Sequence, residues 1–133
     1  MDNKQKYLGF IQAVINRMAG NSFLIKGWGI SLISALFALA AKDANDKYVV
    51  VAYIPVFIFW ILDGYYLWQE KLFRALYDHV RLQDENIVDY SMNTSQFSKD
   101  KNTWICSIFS KTLGLFYLPL ISLMIIAMFF IQN

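Results

Sequence analysis

Few side chains in this 133-residue chain could do chemistry, and three of them are charges set at the edges of apolar stretches. Lys26 lies in the run 22–41, Asp63 in the run 48–68, and Lys111 just ahead of 112–131. A lone carboxylate in hydrocarbon is strongly disfavoured, and an ammonium beside it lowers the penalty. The chemistry these residues suggest is charge pairing inside a membrane. A Lys26–Asp63 ion pair is predicted, with Lys111 competing for the same acid. Lys26 and Asp63 are equally far from a turn centred between Ala44 and Asn45, so an antiparallel hairpin brings them to one depth. Both lysines have an alternative, which is to extend their ammonium groups to the lipid headgroups. Opening the pair would leave charge at the end of a span, which makes these residues candidates for gating.

Other chemistry is sparse. His79 is the only histidine and Cys106 the only cysteine, so no metal site, cofactor site or intrachain disulfide is expected. No phosphate-binding glycine loop, nucleophile elbow or zinc-protease motif occurs. Arg74 and His79 match the Arg-x4-His spacing of HEPN ribonucleases. That resemblance implies histidine and arginine acting on an RNA 2′-hydroxyl and phosphate across a dimer. Arg74 also stands four residues from both Glu70 and Asp78, which places the three in a salt-bridge ladder along one helix face. The ladder is the simpler reading, and no enzymatic activity is expected.

The elements that must position these residues follow from composition. The chain is 57% hydrophobic and only 17% charged, with a net charge of +2. Those values favour an integral membrane protein and give no support for nucleic-acid binding. Each apolar run is close to the ~20 residues a helix needs to cross ~30 Å of hydrocarbon. The expected fold is all-α, with spans at 22–41, 48–68 and 104–131. Span two should continue as a cytoplasmic helix to about residue 83, followed by a flexible polar loop at 84–102. A helix kink is expected at Pro119. Ahead of the spans, Tyr7, Ile11, Val14 and Met18 recur at helical spacing, which predicts an amphipathic interfacial helix over 3–20. Gly20 should end that helix and Asn21-Ser22 cap the next, giving a sharp corner. Lys4, Lys6, Arg17, Lys71, Arg74, Arg81, Lys99 and Lys101 all lie on one side of the predicted spans. The positive-inside bias then puts the N-terminus and the loop in the cytoplasm and the C-terminus outside, in a bacterial inner membrane.

Span one is rich in small residues: Gly27 and Gly29 near its start, then Ser31 with Ala35 and Ser34 with Ala38. Small residues four apart let helices approach closely in lipid, either within a hairpin or along an inter-subunit seam or pore. On the cytoplasmic helix, Leu72, Leu76 and Val80 form an apolar stripe suited to docking a soluble partner.

The strings Arg17-Met-Ala-Gly-Asn-Ser-Phe-Leu-Ile-Lys-Gly-Trp28 and Phe59-Trp-Ile-Leu-Asp-Gly-Tyr-Tyr-Leu-Trp-Gln-Glu-Lys-Leu-Phe-Arg74 resemble a group of small bacterial membrane proteins, some of them linked to anti-phage defence. The resemblance covers residues 7–81. It implies a membrane-acting effector kept quiet until a cytoplasmic partner signals. Two functions are therefore expected to compete: a homo-oligomeric, channel-like effector, and a non-conducting anchor or adaptor for a soluble protein.

Overall fold

The computed structural model describes residues 3–43, 47–100 and 102–132, the last by its backbone alone. Among these residues there are helices and no strand. Helix α1 spans Asn3–Asp43, α2 spans Lys47–Arg81, α3 is the short Trp104–Ile108, and α4 spans Lys111–Gln132. Three of them, α1, α2 and α4, are long and apolar enough to cross a membrane. The predicted turn centre at Ala44 and Asn45, together with Lys101 and Asn133, lies outside the described residues.

The corner expected at Gly20 does not form. Helix α1 runs unbroken for 41 residues, and no glycine takes the left-handed conformation that a helix-ending glycine adopts. The reason lies across the interface in α2. Tyr7, Ile11 and Ile15 pack on Leu76 and Val80, so the N-terminal part of α1 keeps alongside α2 instead of turning away. At 1.5 Å per residue α1 is roughly 60 Å long, about twice a bilayer's hydrocarbon thickness. One half of the α1–α2 hairpin is thus rich in lipid-compatible surface, while the other half, here called the stalk, has polar outer surfaces.

The stalk is closed by the segment after α2, which packs on it through Val88 and Phe97. Two single 3-10 turns, Glu85–Ile87 and Ser95–Phe97, punctuate it. Val88 joins the stalk core and Phe97 packs against it. Lys4 Nζ donates to the Arg81 carbonyl at 3.2 Å and to the Gln83 carbonyl at 2.6 Å, covering free carbonyls at the end of α2. The Tyr7 hydroxyl donates to the Ser91 carbonyl, and its ring meets Tyr90 edge-on. Burial, reinforced by the Asp89 carboxylate, raises the pKa of that hydroxyl above its ordinary value and keeps it a donor.

The third span is not one helix from Trp104. α3 ends at Ile108, and α4 begins at Lys111 after a break at Phe109 and Ser110. Thr103 caps α3 by accepting from the Cys106 N–H at 3.3 Å. α4 then continues through Pro119. The span core gathers Ile33 from α1, Ala52 and Val56 from α2, and Leu113, Tyr117 and Met124 from α4.

Candidate polar lock between three helices

The site is built around Asp63, whose side chain is completely buried. Helix geometry places Ser22 and Lys26 one turn apart on the α1 face that meets α2. Lys26 Nζ lies 2.5 Å from Asp63 Oδ2 and 2.8 Å from Ser22 Oγ. The Ser22 hydroxyl donates to Asp63 Oδ1. From α4, the Tyr117 hydroxyl donates to Asp63 Oδ2 at 2.9 Å and also lies 3.4 Å from the Phe59 carbonyl. One carboxylate on α2 therefore gathers donors from both other long helices. The Lys26 ammonium sits 5.6 Å above the Phe116 ring, which adds a cation–π contact on its other side. Trp60 stacks flat on Tyr117, with centroids 5.5 Å apart, and helps fix that ring's orientation.

Close approach of backbones supports this arrangement. A side chain at Gly64 would place its Cβ 2.4 Å from Ile108 Cγ1 and 3.1 Å from Ile108 Cα, so only glycine lets α3 cross α2 beside Asp63. A Cβ at Gly29 would stand 3.2 Å from the Phe59 ring. Three indoles hold α3 and its flanks in place. Trp60 Nε1 donates to the Ile108 carbonyl at 2.8 Å, Trp68 Nε1 to the Asn102 carbonyl at 3.0 Å, and Trp104 Nε1 to the Ile61 carbonyl at 3.0 Å.

The structure brings together Lys26 and Asp63 but not Lys111, which is exposed at the start of α4. Ser22 and Tyr117 are the members that sequence reading missed. Ser22 carried a weak signal, standing four residues from Lys26, whereas Tyr117 carried none within its own run. The small residues of α1 divide between two faces. Gly29 is buried against α2, while Gly27, Ser31, Ser34, Ala35 and Ala38 are exposed.

The stripe predicted to dock a soluble partner is occupied within the chain. Leu72, Leu76 and Val80 are all buried, the latter two beneath the N-terminal half of α1. The salt-bridge ladder forms only in part. Arg74 pairs with Glu70 at 2.9 Å, whereas Asp78 pairs with Arg81 at 3.3 Å. His79 lies 3.1 Å from Gln83 and edge-on to Phe97, so Arg74 and His79 serve separate contacts. No group of three or more metal-ligating side chains occurs among the described residues.

Chemically, the Asp63 cluster is suited to holding charge. Its ammonium and carboxylate cancel, three donors satisfy the acid, and separating them requires α1, α2 and α4 to part. Compared with known proteins, the chain matches no family model, no curated protein and no solved structure.

Proposed function

We propose that this chain is the subunit of an oligomeric membrane effector, channel-like or membrane-perturbing, that acts in bacterial anti-phage defence when a cytoplasmic signal reaches it. In this reading it sits in the inner membrane, with its N-terminus and the stalk in the cytoplasm, and has no catalytic activity of its own. The observation that carries the proposal is the outer face of α1. Gly20, Gly27, Ser31, Ser34, Ala38 and Ala41 follow one another at three- and four-residue steps (with Leu24 the single large residue in the series), and all are exposed in the single chain. A Cβ added at Gly20 or Gly27 would meet nothing within 4 Å. Lipid tails gain little from such a face, whereas another helix gains close van der Waals contact and partners for the serine hydroxyls. The interior of a single chain is filled by Leu113, Tyr117 and Met124, so conduction requires a path between copies. The Lys26–Asp63–Tyr117 cluster then keeps each subunit closed, and its opening is the gating step.

The test combines assembly and conduction. In nanodiscs the chain should form a ring, Ser34→Leu should break it, and triggered cells should depolarise with the wild type only. A monomer or dimer in nanodiscs, or an unchanged membrane potential under confirmed expression and triggering, would sink the proposal. A second reading, a non-conducting anchor, draws support from Leu82 and Ile87, which are 80% and 65% exposed beyond α2. Under that reading Ile87→Asp should abolish co-purification of a stoichiometric soluble partner and leave the membrane potential untouched.

A further inference from the structure

The break between α3 and α4 leaves an open groove of about 580 Å³ on the outer side of α4. Ser110 and Lys111 form one end of it, and Gly114, Leu115, Leu118 and Pro119 continue it along the helix. Ile108 of α3 lies against Gly64 of α2, the helix is interrupted at Phe109 and Ser110, and α4 starts afresh with no side chain at its fourth residue, Gly114.

The two ends of the groove differ in character. Lys111 is exposed, and no described carboxylate pairs with it. Further along, Leu115 and Leu118 are 77% and 57% exposed and belong to an uncharged run that continues to Ile131. Lys111 also follows directly on the segment that Trp60, Trp68 and Trp104 tie to α2. Tryptophans concentrate at the headgroup level of a bilayer, so the ammonium stands at that depth and the leucines at the depth of the acyl chains.

We propose that this groove binds one anionic phospholipid, its phosphate against Lys111 and Ser110 and one acyl chain along Gly114, Leu115 and Leu118. The charge selects the headgroup, because an unpaired ammonium beside an apolar slot is complementary to an amphiphile of opposite charge. The slot selects a lipid over free phosphate, because an inorganic anion leaves the leucines uncovered. This site is independent of assembly through α1 and of any conduction.

Native mass spectrometry of the full chain in detergent tests the proposal, using phosphatidylglycerol and phosphatidylcholine with identical acyl chains. The wild type should retain the anionic lipid roughly fivefold better, the factor expected for one lysine acting on an anionic headgroup. Lys111→Gln should equalise the two lipids. Gly114→Leu should weaken both to a similar extent by filling the slot. A Cβ at that position meets only Leu118 Cδ1, at 4.0 Å, so the backbone there has room for a first side-chain carbon. Melting temperatures in lipid-free detergent should match the wild type for both variants. Excess inorganic phosphate should leave the bound lipid in place. The proposal is overturned by a wild type that does not distinguish the headgroups, by a preference that survives Lys111→Gln, by unchanged binding in Gly114→Leu, or by displacement with phosphate alone. The first and last of these outcomes need no variant.

Discussion

The stalk and the span half of this molecule are built by opposite rules, although the same two helices run through both. In the stalk, Tyr7, Ile11, Ile15, Leu76, Val80 and Val88 turn inward, while Lys6, Gln12, Asn16, Arg17, Arg74 and Asp78 face outward. That is the arrangement water imposes, because burying apolar area is what stabilises it. In the span half, large apolar side chains cover the outside, from Val50 and Ile54 on α2 to Leu115 and Phe130 on α4. The carboxylate at the centre of the polar lock, Asp63, is turned inward and fully enclosed. Lipid is as apolar as leucine, so burying leucine distinguishes little between one packing and another. Specificity in that half therefore comes from the carboxylate that gathers Ser22, Lys26 and Tyr117, and from the close approach permitted at Gly29 and Gly64. Polar contacts thus select the helix arrangement in one half, and hydrophobic burial selects it in the other.

The largest effect expected from breaking this contrast is at the acid. Asp63→Ala leaves the Lys26 ammonium facing an apolar wall and should destabilise the fold by about 3–5 kcal/mol, measured by unfolding in mixed detergent and dodecyl sulfate. Combining it with Lys26→Met should recover part of the loss, since no charge is then stranded. Strictly additive effects would show that the two residues do not act as a pair. Next comes the stalk, where Leu76→Ala should remove about 2–5 kcal/mol by opening a cavity in a water-driven core. The matching truncation on the lipid side, Ile126→Ala at a residue 52% exposed, should change stability by less than about 0.5 kcal/mol. Equal losses at the two positions would erase the distinction between the halves. Among the buried positions the mildest substitution is Tyr117→Phe. It deletes one hydrogen bond to a charged carboxylate and leaves the ring stacked on Trp60, so about 1.5–3 kcal/mol is expected. A neutral result in the same unfolding assay would mean that α4 is held by apolar packing alone.

Much of the fold is legible in the chain because its signals are local. Three long apolar runs mark the spans, and hydrophobic steps of three and four mark the apolar faces of both stalk helices. The hairpin symmetry about residues 44 and 45 suffices to set Lys26 opposite Asp63, which is the geometry the structure contains. What is not legible depends on contacts between segments far apart in sequence. Gly20 carries the local signature of a helix end, yet packing of Tyr7, Ile11 and Ile15 on α2 outweighs it. Leu72, Leu76 and Val80 present an apolar face in sequence, and only the neighbouring helix shows that the face is already covered. The polar segment after α2 has no periodicity, so nothing local announces that Lys4 and Tyr7 tie it down.

By itself, then, the sequence determined which segments suit lipid, which faces of the helices are apolar, and that an acid and a base stand at one depth of a hairpin. These are consequences of composition and helical period, which each segment carries alone. It takes the packed helices to show that α1 runs on unbroken, that Tyr117 and Ser22 complete the acid's shell, and that Lys111 remains outside it. Those outcomes depend on how three helices share one surface, and the donors a buried carboxylate recruits are the ones that geometry brings within about 3 Å.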